Sequence, residues 1–139
     1  MNAFDKSVTA AAIFVLVCSA IALGATAQME EAHKAKELAG RPLTDADIAK
    51  YCAVRADIAR LGTPKNTAAD LARHNQDVKA IRARHGITDS EYHVLDGRVM
   101  TAETLIRMEK QMPTPAEKKA DVEIVRKHLA KIQAAKRAK

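Results

Sequence analysis

Aromatic residues are nearly missing from this chain: of its 139 residues two are phenylalanine, two tyrosine and none tryptophan. A core built with so few large rings rests on Ala, Val, Ile and Leu, and buries less area per residue than usual. The same scarcity argues against nucleic acid as a partner, because no ring interrupts the basic C-terminal segment to stack on bases. Cysteine is as rare. Cys18 lies in an apolar run near the N-terminus and Cys52 stands alone beyond it, so neither a disulfide framework nor structural zinc is expected. Also missing are a Gly-rich phosphate loop, a Gly-x-Ser-x-Gly elbow, a Cys-x-x-Cys-His haem attachment and a cysteine with an evident histidine partner. The chain therefore reads as non-enzymatic. Of its histidines, His33, His74, His85, His93 and His128, no two stand four apart on one helix face, as a helical metal site would want.

What is present begins with a distinct N-terminus. Val8 to Leu23 form an uninterrupted run of apolar and small residues, followed by Gly24 and the small-x-small sequence Ala25-Thr26-Ala27. Such a run is short for a bilayer span and near the upper end for a secretory signal core, and Ala-x-Ala is the sequence that signal peptidase reads. Cleavage after Ala27 is expected, making residues 1–27 a signal peptide and the mature chain periplasmic or secreted. Retention of the run as an N-terminal membrane anchor is the alternative. Val15, Leu16 and Val17 precede Cys18 where lipid attachment wants a small residue, which excludes a lipoprotein. Taking 27 from 139 leaves 112 residues, enough for one domain with a modest core.

Four threonines mark helix openings. Thr44-x-x-Asp47, Thr67-x-x-Asp70, Thr88-x-x-Glu91 and Thr114-x-x-Glu117 each offer a hydroxyl to an orphan backbone N–H, with a carboxylate three residues on that reaches back. Ile87 and Tyr92 are spaced as a hydrophobic staple around the third opening, and Pro115 suits the first position of the fourth helix. Leu61-Gly62, His85-Gly86 and Met112-Pro113 are the matching stops. Short connections force neighbours to run antiparallel. The expected fold is all-α, an up-and-down four-helix bundle over residues 43–135. A polar leading segment, 28–42, carries a short and loosely attached helix, and 136–139 form a basic end. "TPKNTAADLARHNQDVKAI" from Thr63 has an echo fifty-one residues on in "TPAEKKADVEIVRKHLAKI" from Thr114, so the chain reads as two similar helical hairpins placed end to end.

The echo also nominates a site. Val122, Val125, Leu129 and Ile132 make one apolar stripe in the fourth helix, and the equivalent positions of the second are Leu71, His74, Val78 and Ile81, so His74 takes a core slot by pattern. Arg55 projects from the middle of the apolar arc of the first helix. Burial does not neutralise a guanidinium, so Arg55 must meet a carboxylate, a ligand or water. Asp96 and Glu103 flank the stripe of the third helix and are the carboxylates to expect nearby. Arg55 and His74 are thus the candidate ligand-binding residues, lining a small anion cleft; the competing reading makes them a satisfied interior pair that fixes helix register, or lets Arg55 snorkel to the edge of the bundle. Met108-x-x-x-Met112 with Met100 is the best soft-metal candidate, although methionine at such spacing commonly fills gaps in cores, and no metal or cofactor is assigned.

Charge is unevenly placed. From Gln28 to Val125 acids and bases balance, while Arg126, Lys127, Lys131, Lys136, Arg137 and Lys139 stand with no acid among them, so the net +6 sits in the last fourteen residues. Those six cations are the candidate contacts to an anionic envelope surface or polyanion. The third helix carries Val94, Thr101, Leu105, Met108 and Met112 on a side away from its main stripe, which points to a protein partner or self-association. The architecture is broadly similar to that of small helical envelope-stress chaperones, which carry Leu-Thr-x-x-Gln at repeated positions; here "LTDAD" and "ITDSE" put acids where glutamine stands, and the chain is not assigned to that family. The functional expectation is an exported, non-enzymatic, accessory or chaperone-like binding protein of the cell envelope, with a periplasmic copper or haem carrier as the alternative.

Overall fold

The structure, a computed structural model, describes residues 24–139; the apolar run and most of the expected signal peptide lie outside them. The described residues are all-helical and contain no strand. Helix α1 covers 24–40, α2 Asp45–Arg60, α3 Ala68–Arg84, α4 Asp89–Met108, α5 Lys119–Lys127 and α6 Leu129–Lys136. No helix among the described residues is long and apolar enough to cross a membrane.

Three of the four threonine openings form. At α2 the Thr44 hydroxyl accepts from the Asp47 amide at 3.2 Å while the Thr44 amide donates to the Asp47 carboxylate at 2.8 Å, and Thr88 with Glu91 repeats this reciprocal box at α4. Thr67 caps α3 by accepting from the Asp70 amide. The fourth opening fails. Pro115 is extended (ψ 142°), its ring disfavours helical geometry at Thr114, and the chain enters α5 through a single 3-10 turn, Ala116–Lys118, with no side-chain cap. Two of the stops hold because Gly62 and Gly86 take left-handed backbone, φ 73° and 63°. At Gly86 the Ile87 amide donates to the Arg82 carbonyl and the Gly86 amide to that of Ala83, closing the two-bond end that only a residue at positive φ allows. Helix α4 stops at Met108, short of Met112, where the amides of Gln111 and Met112 both turn back onto the Met108 carbonyl.

The expected fourth helix is two. His128 (φ −108°, ψ 11°) separates α5 from α6, and α5 lies along α4 while α6 lies along α2. Val122 and Val125 of α5 and Ile132 and Ala135 of α6 are all buried, so both halves contribute to the core. The core closes around Ile48, Tyr51 and Val54 of α2, Leu95 and Val99 of α4, and these C-terminal side chains. Each Val, Leu or Ile side chain among them contributes roughly 1.5–3 kcal/mol by leaving water. The equivalence of the two hairpins does not extend to α3. Only Ile81 of its stripe is buried; His74 and Val78 are half-buried and Leu71 is 45% exposed, so the first two turns stand away from the core.

The leading helix is firmly held, against the expectation of loose attachment. Ala35 and Leu38 are buried, the Ser90 amide donates to Glu31, and Arg41 grips Asp47 with two hydrogen bonds of 2.6 and 2.9 Å. Arg98 of α4 fixes its end by donating to the carbonyls of Leu38 and Arg41. The same guanidinium pairs through Nε and Nη2 with Asp121 of α5, the one buried charged residue among those described. One side chain therefore ties α1, α4 and α5 together.

Candidate functional site

Arg55 lies one turn beyond Tyr51 on α2, half-buried, at the edge of a cleft of about 290 Å³ between α2, α4 and α6. Asp96 and Glu103 both line this cleft, as their places on α4 imply, yet neither forms an ion pair with Arg55. Asp96 accepts a 2.9 Å hydrogen bond from the Tyr51 hydroxyl, and Glu103 is taken by Lys136 of α6. Arg55 makes no ion pair among the described residues, and its Nε is buried without a hydrogen-bond partner. The guanidinium sits beside the Tyr92 hydroxyl, where it works against the upward push of burial and Asp96 on that phenol, but no hydrogen bond of normal geometry joins them and Tyr92 Oη is itself unpartnered.

Behind Arg55 the two tyrosines stack, ring centres 6.1 Å apart and planes 15° from parallel, and Arg82 of α3 lies 4.4 Å over the Tyr92 ring. Burial, then the neighbouring Asp96 charge, holds the Tyr51 hydroxyl protonated far above its ordinary range. It is thus a fixed donor, with Asp96 its acceptor, rather than an acid or base at neutral pH. Leu129 and Ile106 give the cleft an apolar wall, and Arg107 and Lys136 add cationic rim. His74 is elsewhere. It lies on the half-open stretch of α3 and does not line the Arg55 cleft, so the structure does not bring the two candidate residues together.

The six C-terminal cations divide evenly. Arg126 makes a two-bond pair with Glu109, both 2.9 Å, Lys127 meets Asp45 at 2.9 Å, and Lys136 meets Glu103. Lys131, Arg137 and Lys139 form no ion pair among the described residues. His128 joins Lys127 on Asp45, and this pair of donors, the histidine first, holds the Asp45 carboxyl below its usual range. Of the soft-metal candidates, Met100 is 55% exposed and Met112 lies past the end of α4, so the one-turn helical spacing from Met108 is not realised. No group of three or more His, Cys, Asp or Glu among the described residues is placed to hold a metal. Cys52 is buried, and desolvation pushes its thiol up.

Two functional-looking contacts escape sequence reading. Arg98–Asp121 joins residues that look like ordinary solvated polar positions, hinted at only by the core residues beside them in their helices, and Asp96, expected near Arg55, accepts from Tyr51 instead. Comparison with protein-family models, curated proteins and solved structures finds no significant match to this chain.

Proposed function

We propose that this chain is an exported, non-enzymatic binding protein of the cell envelope, an up-and-down four-helix bundle released by cleavage after Ala27 and serving as an accessory or chaperone-like subunit. The observation that carries the binding reading is Arg55: a half-buried guanidinium on an open cleft, whose two natural carboxylate partners are occupied by Tyr51 and Lys136. A cation in that position is stabilised by an outside anion. Export is supported by the Val8–Leu23 run and its Ala-x-Ala end. A protein partner or self-association is supported by exposed Met100, Leu71 and Met112, and contact with an anionic envelope surface by Lys131, Arg137 and Lys139.

Cell fractionation with N-terminal sequencing tests the first step: a processed chain beginning at Gln28 in the envelope fraction is expected, and an intact chain in the cytosol removes the proposal. Affinity capture from intact envelopes tests the second. Deleting residues 126–139 would be a poor control, since Ile132 and Ala135 are core; substituting Lys131, Arg137 and Lys139 by Gln leaves the core and the three ion pairs in place. A metal and absorbance spectrum of the natively purified protein addresses the carrier alternative, which a stoichiometric copper or haem signal would favour over this reading.

A further inference from the structure

We propose that the α2–α4–α6 cleft is a site for a small organic monocarboxylate with an apolar body, held by the fork of Arg55; this rests on the binding reading above and names its ligand class. Three cations, Arg55, Arg107 and Lys136, face two carboxylates, Asp96 and Glu103. Glu103 is matched by Lys136, Asp96 is stabilised by the Tyr51 hydroxyl, and Arg107 is exposed at the rim beside the Thr104 hydroxyl. Asp96 keeps its own charge beside a neutral phenol, so the cleft as a whole carries one net positive charge, and Arg55 is its half-buried cation without an ion pair; one added negative charge balances the cleft. Ligand ammonium groups gain little here, because the tyrosine and the lysine already occupy both acids. A dianionic phosphate suits the cleft less, since its two charges exceed the single net positive charge of the lining.

Geometry agrees with charge. A planar guanidinium binds a carboxylate with two parallel hydrogen bonds, which gives orientation as well as attraction. Ile106, Leu129 and Met100 line the same cleft, and their apolar surfaces suit a short hydrocarbon chain. Its volume, about 290 Å³, lies at the small end of ligand sites and limits the body to a few carbons. The Arg55 Nε is buried without a hydrogen-bond partner and the side chain makes no ion pair among the described residues, so no protein carboxylate has to be displaced when the ligand arrives.

The test is calorimetry on the protein purified in the form in which cells accumulate it, with hexanoate, hexanamide and hexyl phosphate as probes. Hexanoate should bind at least ten-fold more tightly than the amide, which has the same shape without the charge. Arg55→Met should lower hexanoate affinity by at least ten-fold while melting at or above the parent temperature, and Arg55→Lys should recover only part of the loss because it restores charge without the fork. Equal binding of acid and amide, unchanged affinity in Arg55→Met, or no binding by any probe overturns the proposal. Tighter binding of hexyl phosphate that still depends on Arg55 overturns the ligand class and leaves the binding reading standing.

Discussion

Arg98 directs N–H groups to Asp121 and to two carbonyls at the end of α1, and both charged side chains are largely out of water. Removing one member of such a pair leaves the other buried and uncompensated. Asp121→Ala is expected to lower unfolding free energy by about 3 kcal/mol in urea titrations, whereas the double change Arg98→Met with Asp121→Leu should recover more than half of that. An equal loss in both would show that the clamp acts through its carbonyl bonds alone. Asp47 is a residue whose ionisation is tied to folding. Hydrogen bonds from Arg41, with Thr44 assisting, lower its carboxyl to about 2 from 3.8. A depressed folded-state value means that the stabilisation is fully present above pH 3.8 and is lost as pH falls through about 2. Solvent screening of the partly exposed Arg41 limits the gain to ~1 kcal/mol. Urea midpoints measured between those two pH values should therefore fall in the parent protein and flatten in Asp47→Asn.

At the scale of elements, the local signals were legible and the tertiary ones were not. Thr44, Thr67 and Thr88 open helices where their sequences say, because a cap is made by residues within one turn of each other. Gly62 and Gly86 stop helices for the same reason, their freedom at positive φ being a local property. Gly86→Ala, which forces a Cβ into that region, is expected to cost about 1–2 kcal/mol, read as a lowered melting temperature. What the pattern could not reveal was which stripes find a neighbour. Leu71, His74 and Val78 have the spacing of a core face, yet burial depends on helices distant in sequence, and only Ile81 meets one. The break at His128 was hidden likewise, because it falls where the chain passes from packing on α4 to packing on α2, helices distant in sequence. Arg55 was legible as an anomaly in its own helix, whereas its separation from His74 was not. Hydrogen exchange should follow this division: amides of residues 68–76 are expected to exchange at least roughly ten-fold faster than those around Val99, and equal protection would place the opening turns of α3 in the cooperative core.

Across the whole molecule, the basic excess is partly tied down. Arg126, Lys127 and Lys136 fasten the C-terminal helices to Glu109, Asp45 and Glu103, while Lys131, Arg137 and Lys139 have no such anchor. Exposed pairs contribute little to stability individually, so the division matters more for long-range attraction than for holding the fold. Replacing the three unpaired cations by Gln should weaken sedimentation with anionic vesicles, most clearly at low salt, and leave the melting temperature nearly unchanged; unaltered vesicle binding would remove the tail from any surface role. The two described aromatic rings have a separate use. Tyr51 and Tyr92 are stacked at the junction of α2 and α4, one hydroxyl is held by a carboxylate, and the chain has no indole to mask them. Native ultraviolet emission is therefore dimmed at a single known place and brightens when that junction parts, so the protein carries its own optical reporter of core opening without any attached dye.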